Sequence, residues 1–157
     1  MVFNNTLGLN FKQVFPALRK PMKRSHLFRR DFGELENIFS FLGVFFSEFG
    51  IGEEHRFSVD LSVEEVFTNM VKYNTEASRD IDIEIEYDEG SLIVRLFDDQ
   101  NKPFDVSAVK PVDLDAYHKA GKIGGLGIHL VHQFMDDVRH EVNGNLTTVT
   151  LIKKISS

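Results

Sequence analysis

Hydrophobic and polar positions switch between two periods along the chain, and each switch marks an element. After an opening stretch with no sustained period, residues 25–32 suit a short strand. Leu35, Ile38, Phe39, Leu42, Phe45, Phe46 and Phe49 then recur at three- and four-residue steps, which predicts a helix over 35–49 stopped by Gly50. Phe41 and Val44 fall outside that stripe, so this helix is expected to be buried on two sides, or else to meet a second subunit. A second helix is predicted over 53–73 with Val59, Val63, Val66, Phe67 and Met70 inward. Glu65 and Asn69, one turn apart, sit well away from the centre of that apolar face and look into a cleft or solvent. Strict alternation from Ile81 to Tyr87 predicts a strand with one wet face, turned at 88–90 into a more apolar strand over 92–97. Residues 98–126 have no clear period, and connections of that length are usually functional. A helix over 127–135 and a hairpin, 138–142 and 146–152, complete the chain, with Asn143-Gly144-Asn145 supplying the turn.

Composition narrows the possibilities. A length of 157 residues with 42% hydrophobic content fits one domain with a real core, and the lack of Cys excludes disulfides, thiolate chemistry and Cys-ligated zinc. The most apolar run, 38–46, is flanked by Glu36 and Glu48 and falls far short of the roughly 20 residues that span a bilayer. The expectation is therefore a soluble, cytoplasmic protein with no membrane contact. The net charge of −6 splits into +7 for residues 1–30, which contain no acid, and −13 for the rest. A body so acidic repels phosphate, which argues against direct nucleic-acid binding. The expected organisation is a basic N-terminal extension over 1–24 and one domain over 25–157. An acid-free arm also suits a transit peptide, although this one is poor in Ser.

Three clusters could carry chemistry, and each has a plainer explanation. Glu65 with Asn69 can supply a general base beside a neutral oxygen ligand for Mg2+, or can be an ordinary solvated face. Asp98-Asp99-Gln100-Asn101-Lys102-Pro103-Phe104-Asp105 at the end of a strand can accept a hydrogen bond from an exocyclic amine, or simply turn the chain. Gly121-Lys122-Ile123-Gly124-Gly125-Leu126-Gly127 runs into a helix, where bare backbone N–H groups and the helix dipole attract phosphate; a glycine hinge is the alternative. His129 and His132 are three apart on a helix, but no nearby carboxylate completes a metal site with them. No Gly-x-Ser-x-Gly elbow supports a hydrolase triad.

Taken in order, these clusters resemble the boxes of the GHKL, or Bergerat-type, ATP-binding fold of gyrase and histidine kinases. Within that fold the chain is similar to the anti-sigma factor serine/threonine kinase family of bacterial partner-switching systems. Glu65-Val-Phe-Thr-Asn69-Met-Val-Lys72 resembles the family's N box, Asp99 to Asp105 its Asp-x-Gly-x-Pro-Phe-Asp box, and Gly124-Gly125-Leu126-Gly127 with Met135-Asp136-Asp137-Val138 its glycine box and the segment after it. The resemblance implies an α/β two-layer sandwich: a mixed, mainly antiparallel sheet with helices on one face and ATP between helices and lid. It implies Glu65 as the general base, Asn69 as the Mg2+ ligand, and Asp99 as acceptor from the adenine amino group, supported by Thr147. Gly124, Gly125 and Gly127 would bring backbone N–H groups to the phosphates, with Lys122 as a phosphate cation. Two positions depart from the pattern: Asn101 stands where the box has Gly, and Tyr73 where a basic residue closes the N box.

The implied activity is phosphoryl transfer from Mg-ATP to a Ser or Thr of a small anti-sigma antagonist, with a sigma factor as second partner and a homodimer as the expected assembly. The alternative is a non-catalytic, nucleotide-responsive module that binds a regulator.

Overall fold

The protein is described by a computed structural model, which covers residues 22–99 and 126–155. Its elements run β1 (Met22–Phe28), α1 (Leu35–Phe49), α2 (Arg56–Tyr73), β2 (Ile81–Asp88), β3 (Ser91–Asp99), α3 (Leu126–Phe134), β4 (Asp137–Asn143) and β5 (Leu146–Lys154). The strands form one sheet in the order β1-β2-β3-β5-β4, antiparallel at every junction.

Alternation decides which face the helices cover. Ile81, Ile83 and Ile85 of β2, Leu92, Val94 and Leu96 of β3, and Val149 and Leu151 of β5 are fully buried on one face. The register sets these rows side by side, Ile83 against Leu96 and Leu96 against Val149. Asp82, Glu84 and Glu86 occupy the intervening positions and therefore the opposite face, where Arg95 bonds Glu84 at 2.8 Å and Glu86 at 2.6 Å. The core lies between the apolar face and the helices, with Ile38, Leu42, Phe45 and Phe46 of α1 and Val59, Val63, Val66, Phe67 and Met70 of α2 packed into it. The expected two-layer sandwich is what forms.

The second apolar face of α1 is also used within the chain. Phe41 packs edge-on against Phe28 of β1 at 5.7 Å between ring centroids, and Phe49 lies against Phe45 at 4.6 Å. Val44, 64% exposed, is the large apolar side chain of α1 left in water. Gly50 ends α1 in the left-handed region (φ 64°), and the Ile51 N–H reaches back to the Phe46 carbonyl at 2.9 Å. Arg56 at the start of α2 joins the two helices: its guanidinium lies over the Phe46 ring at 5.2 Å, bonds the Phe39 carbonyl and pairs with Asp60 at 2.9 Å.

Three boundaries differ from expectation. The first strand spans Met22–Phe28 and not 25–32, because Asp31 accepts from the Gly33 N–H at 2.6 Å and turns the chain into a short 3-10 segment, Phe32–Glu34. The β2–β3 turn is the residue pair Glu89-Gly90, both at positive φ, which matches the right-handed twist of the strands it joins. In the last hairpin Asn143 pairs with Leu146, so the central residues are Gly144-Asn145 and not Asn-Gly; Gly144 takes positive φ at the first position, as a II′ turn requires.

Deleting a ring from the shared α1–α2 core tests this packing. Phe46→Ala is expected to cost about 3–5 kcal/mol in chemical denaturation, against roughly 0.5 kcal/mol or less for Val44→Ala on the exposed side of the same helix. Equal costs would mean that α1 is not packed as described.

Candidate functional site

On α2 the buried positions take one flank, leaving Glu65 and Asn69 half-buried on another, one turn apart. Facing them is the start of α3. A Cβ built on Gly127 would overlap the Glu65 carboxylate, so any larger residue here requires the acid to swing away from the backbone of α3. The Glu65 carboxylate thus lies against the backbone of α3 at Gly127, with the Asn69 carboxamide one turn further along α2. Phe57 of α2 stacks edge-on against Phe134 of α3 at 5.8 Å and fixes the other end of the helix pair. Burial pushes the Glu65 carboxyl above the usual carboxylate range, and the neighbouring Glu64 charge adds to it.

The second half of the site lies where β3 ends. Asp98 continues the buried row of Leu92, Val94 and Leu96, is fully buried, and sits opposite Thr147 of β5. Asn74, the residue that ends α2, donates to Asp98 Oδ2 at 3.3 Å and to the Asp99 carbonyl at 3.0 Å. Arg30 pairs with Asp98 Oδ1, and its guanidinium also donates to the carbonyls of Arg79 at 2.7 Å and Met70 at 3.3 Å. The Thr147 hydroxyl is buried and has no hydrogen-bond partner among the described residues, an orphan of the kind a bound polar group satisfies. A purine with an exocyclic amine fits this donor and acceptor set.

The expected site residues therefore divide. Glu65 and Gly127 come together between α2 and α3, with Asn69 one turn along α2 from Glu65, and Thr147 lies on the covered face of the sheet. Asp99 is placed on the opposite face of the sheet. It is paired in register with Leu146 and faces Arg79 at 3.6 Å across a shallow cleft of about 500 Å³, lined also by Leu27 and Phe97. Asn101, Lys122, Gly124 and Gly125 lie outside the described residues. Tyr73 is 55% exposed with the Lys72 ammonium 5.1 Å from its ring centre, so the N-box end carries a cation beside the tyrosine. Sequence reasoning passed over Arg30 and Asn74 and took Asp98 only as part of its cluster; the alternation of 92, 94, 96 and 98 was the available signal for Asp98.

Among the described residues, no three His, Cys, Asp or Glu side chains converge to hold a metal ion by themselves. Asn69 offers one hard oxygen, which fits Mg2+ held chiefly by nucleotide phosphates. Among the described residues, no helix is long and apolar enough to cross a membrane.

A one-sided antiparallel sheet, with an acid-and-amide helix facing a glycine at the next helix start, is the layout of a GHKL-type fold. Residues 28–153 match the histidine kinase-like ATPase domain, and the chain belongs to that family. It is 33% identical over 99 residues to the serine-protein kinase RsbW of Listeria monocytogenes and 32% identical over 99 residues to that of Listeria innocua. In each case the alignment covers 59% of this chain and 62% of the relative, so the chain spans less than two thirds of the length of these kinases. A crystal structure of the RsbU and RsbW domains of a Mycobacterium tuberculosis protein superposes with a TM-score of 0.61 at 14% identity, covering 86% of this chain and 33% of that one. At that identity the likeness speaks for the fold alone.

The raised Glu65 pKa has a measurable consequence. The folded chain binds this proton more tightly than the unfolded chain does, so Glu65 makes stability fall as pH rises through the interval between the two pKa values. Glu65→Gln is expected to raise Tm at pH 7, with the gain vanishing near about pH 4, where both side chains are neutral. Scanning calorimetry across pH checks this, and an E65Q chain less stable than wild type at pH 7 would refute it.

Proposed function

We propose that the chain binds Mg-ATP and transfers its terminal phosphoryl group to a Ser or Thr hydroxyl of a small antagonist protein, as part of a switch that controls a sigma factor. The observation that carries this reading is the contact between the Glu65 carboxylate and Gly127 at the start of α3, with Asn69 one turn along the same helix. It supports a base held against a glycine of α3, with an oxygen ligand one turn away. The names of the Listeria relatives support the reaction class.

The roles follow from the chemistry of each side chain. Glu65 takes the proton of the acceptor hydroxyl, and its raised pKa brings it nearer the working pH, where a general base is most effective. Asn69 would hold Mg2+, which would supply positive charge at the phosphates, and Gly127 with Gly124 and Gly125 would present backbone N–H groups to them, with Lys122 as an added cation. Bound Mg-ATP supplies the phosphoryl group and a stable leaving group. The chain itself positions the reactants and shields the reacting centre from water.

For the base, we assign the acceptor role to Asp98 and not to Asp99, because Asp98 shares the helix-covered face with Thr147. Asn101, in the segment after it, borders the base. Asn74, which caps α2, lies nine positions beyond Glu65, roughly 13 Å at the helical rise. An extended nucleotide spans a comparable distance, so base pocket and phosphate site are spaced for one ligand. The partners of this reading are the antagonist that carries the hydroxyl, a sigma factor and a second copy of the chain, in the cytoplasm.

Calorimetry with ATP and Mg2+, followed by phosphotransfer to the cognate antagonist, tests the assignment. Glu65→Ala is expected to bind ATP with affinity within about threefold of wild type while losing roughly 100-fold or more in phosphotransfer rate, the usual contribution of a general base. An unchanged rate sinks the role of Glu65, and no ATP binding at millimolar concentration sinks the kinase reading.

A further inference from the structure

Arg30 lies outside every motif, yet it is anchored more heavily than any other basic side chain near the base pocket. Its side chain is 12% exposed, it pairs with the fully buried Asp98, and it donates to two backbone carbonyls, of Met70 near the end of α2 and of Arg79 just ahead of β2. Arg29, its neighbour, is 75% exposed and pairs with Glu34 on the surface. The adjacent arginines thus have different work to do.

A carboxylate with no exposure to water needs a partner or a proton. The two states are chemically different ligands: ionised, Asp98 only accepts hydrogen bonds; protonated, it also donates one. A 6-amino purine offers a donor and matches the first state. At the same position a 6-oxo purine offers an acceptor, which matches only the second, its N1–H donor lying one atom further along the edge. Arg30 biases this choice, because a guanidinium keeps its charge over the whole physiological range, and its other two nitrogens, bonded to the Arg79 and Met70 carbonyls, hold Nη2 against Asp98 Oδ1. Asn74 holds the other oxygen. A carboxylate has about four lone-pair positions, so these partners are compatible with a further donor from a ligand. Burial lowers the Arg30 pKa from its ordinary value, and the carboxylates of Asp99 and Asp80 oppose that shift.

We infer that Arg30 is the positioning residue of the base pocket: by pairing with Asp98 it holds that side chain as an acceptor-only group, and so selects a purine bearing a 6-amino group over a 6-oxo purine. The inference rests on the nucleotide reading above and extends it to a residue that does not itself touch the ligand.

The test compares ATP with ITP, which differ at this edge of the base, by calorimetry with Mg2+ on the full chain. Wild type is expected to prefer ATP. Arg30→Met narrows the ATP-to-ITP affinity ratio by roughly tenfold or more, the effect of one mismatched hydrogen bond in a buried site. Arg30→Lys, which restores the charge without the fork, recovers part of the preference, and Arg29→Met leaves it intact. If R30M does not fold, Arg30→Gln, a neutral donor, is measured in its place and read in the same way. A merely structural arginine would lower Tm and weaken both nucleotides in parallel, so an unchanged ratio in the variant overturns the inference while the nucleotide reading stands. Equal affinity of wild type for the two nucleotides also overturns it. A wild-type chain that binds neither nucleotide overturns the nucleotide reading and this inference together.

Discussion

The two-residue period of a β-strand is the constraint on which both the core and the candidate site depend. One face of the sheet must be covered and the other stays wet, so each residue of β2, β3 and β5 is committed to a side by its parity alone. Leu92, Val94 and Leu96 commit Asp98 to the covered side, and Val149 and Leu151 commit Thr147 to the same side. Polar chemistry is thus delivered to the end of an apolar row, where burial strengthens each hydrogen bond and makes each unmatched group costly. The same rule sends Asp99, one residue away in sequence, to the outer face.

This explains why the sequence was legible in some places and not in others. The stripes of α1 and α2 and the alternation of β2 are local patterns with strong periods, and they emerged with boundaries close to those expected. Glu65 and Asn69 were legible because a four-residue spacing on a helix fixes their common direction. Asp99 was chosen by counting back from Pro103 in a motif of fixed length, and a motif count carries no information about parity. Alternation, read one residue further, selects Asp98. Arg30 and Asn74 were invisible for a different reason: Asn74 meets Asp98 across 24 positions, and Arg30 meets the carbonyl of Met70 across 40. Only the assembled sheet brings such residues together, and no period announces them.

Several features of the site work against stability. Glu65 is held where its charge is disfavoured, Thr147 has a buried hydroxyl with no partner among the described residues, and Asp98 is a fully buried acid that needs Arg30. Each would be better replaced if folding were the only requirement, since buried ion pairs rarely outperform apolar packing. Their concentration along α2 and the adjoining strand end, against a core that is otherwise apolar, is the pattern expected where local rules are broken for binding.

The acidic character of the chain can also be reconciled with a polyanionic ligand. Asp82, Glu84, Glu86 and Asp99 project from the outer face of the sheet, where Lys23 pairs with Glu84 at 2.6 Å and Arg95 bridges Glu84 and Glu86. The acids there crowd one another: burial raises the Asp82 pKa first, and Glu84 raises it further. Layers of secondary structure stack at about 10 Å, and screening at physiological salt decays over about 8 Å. Charge on the wet face therefore acts on the helix-covered side from at least one layer away, and only where its path runs through solvent does salt weaken it. The strand period that sorts apolar from polar residues thereby also sorts charge, and it leaves the helix-covered face able to accept phosphate in a chain whose net charge would otherwise oppose it.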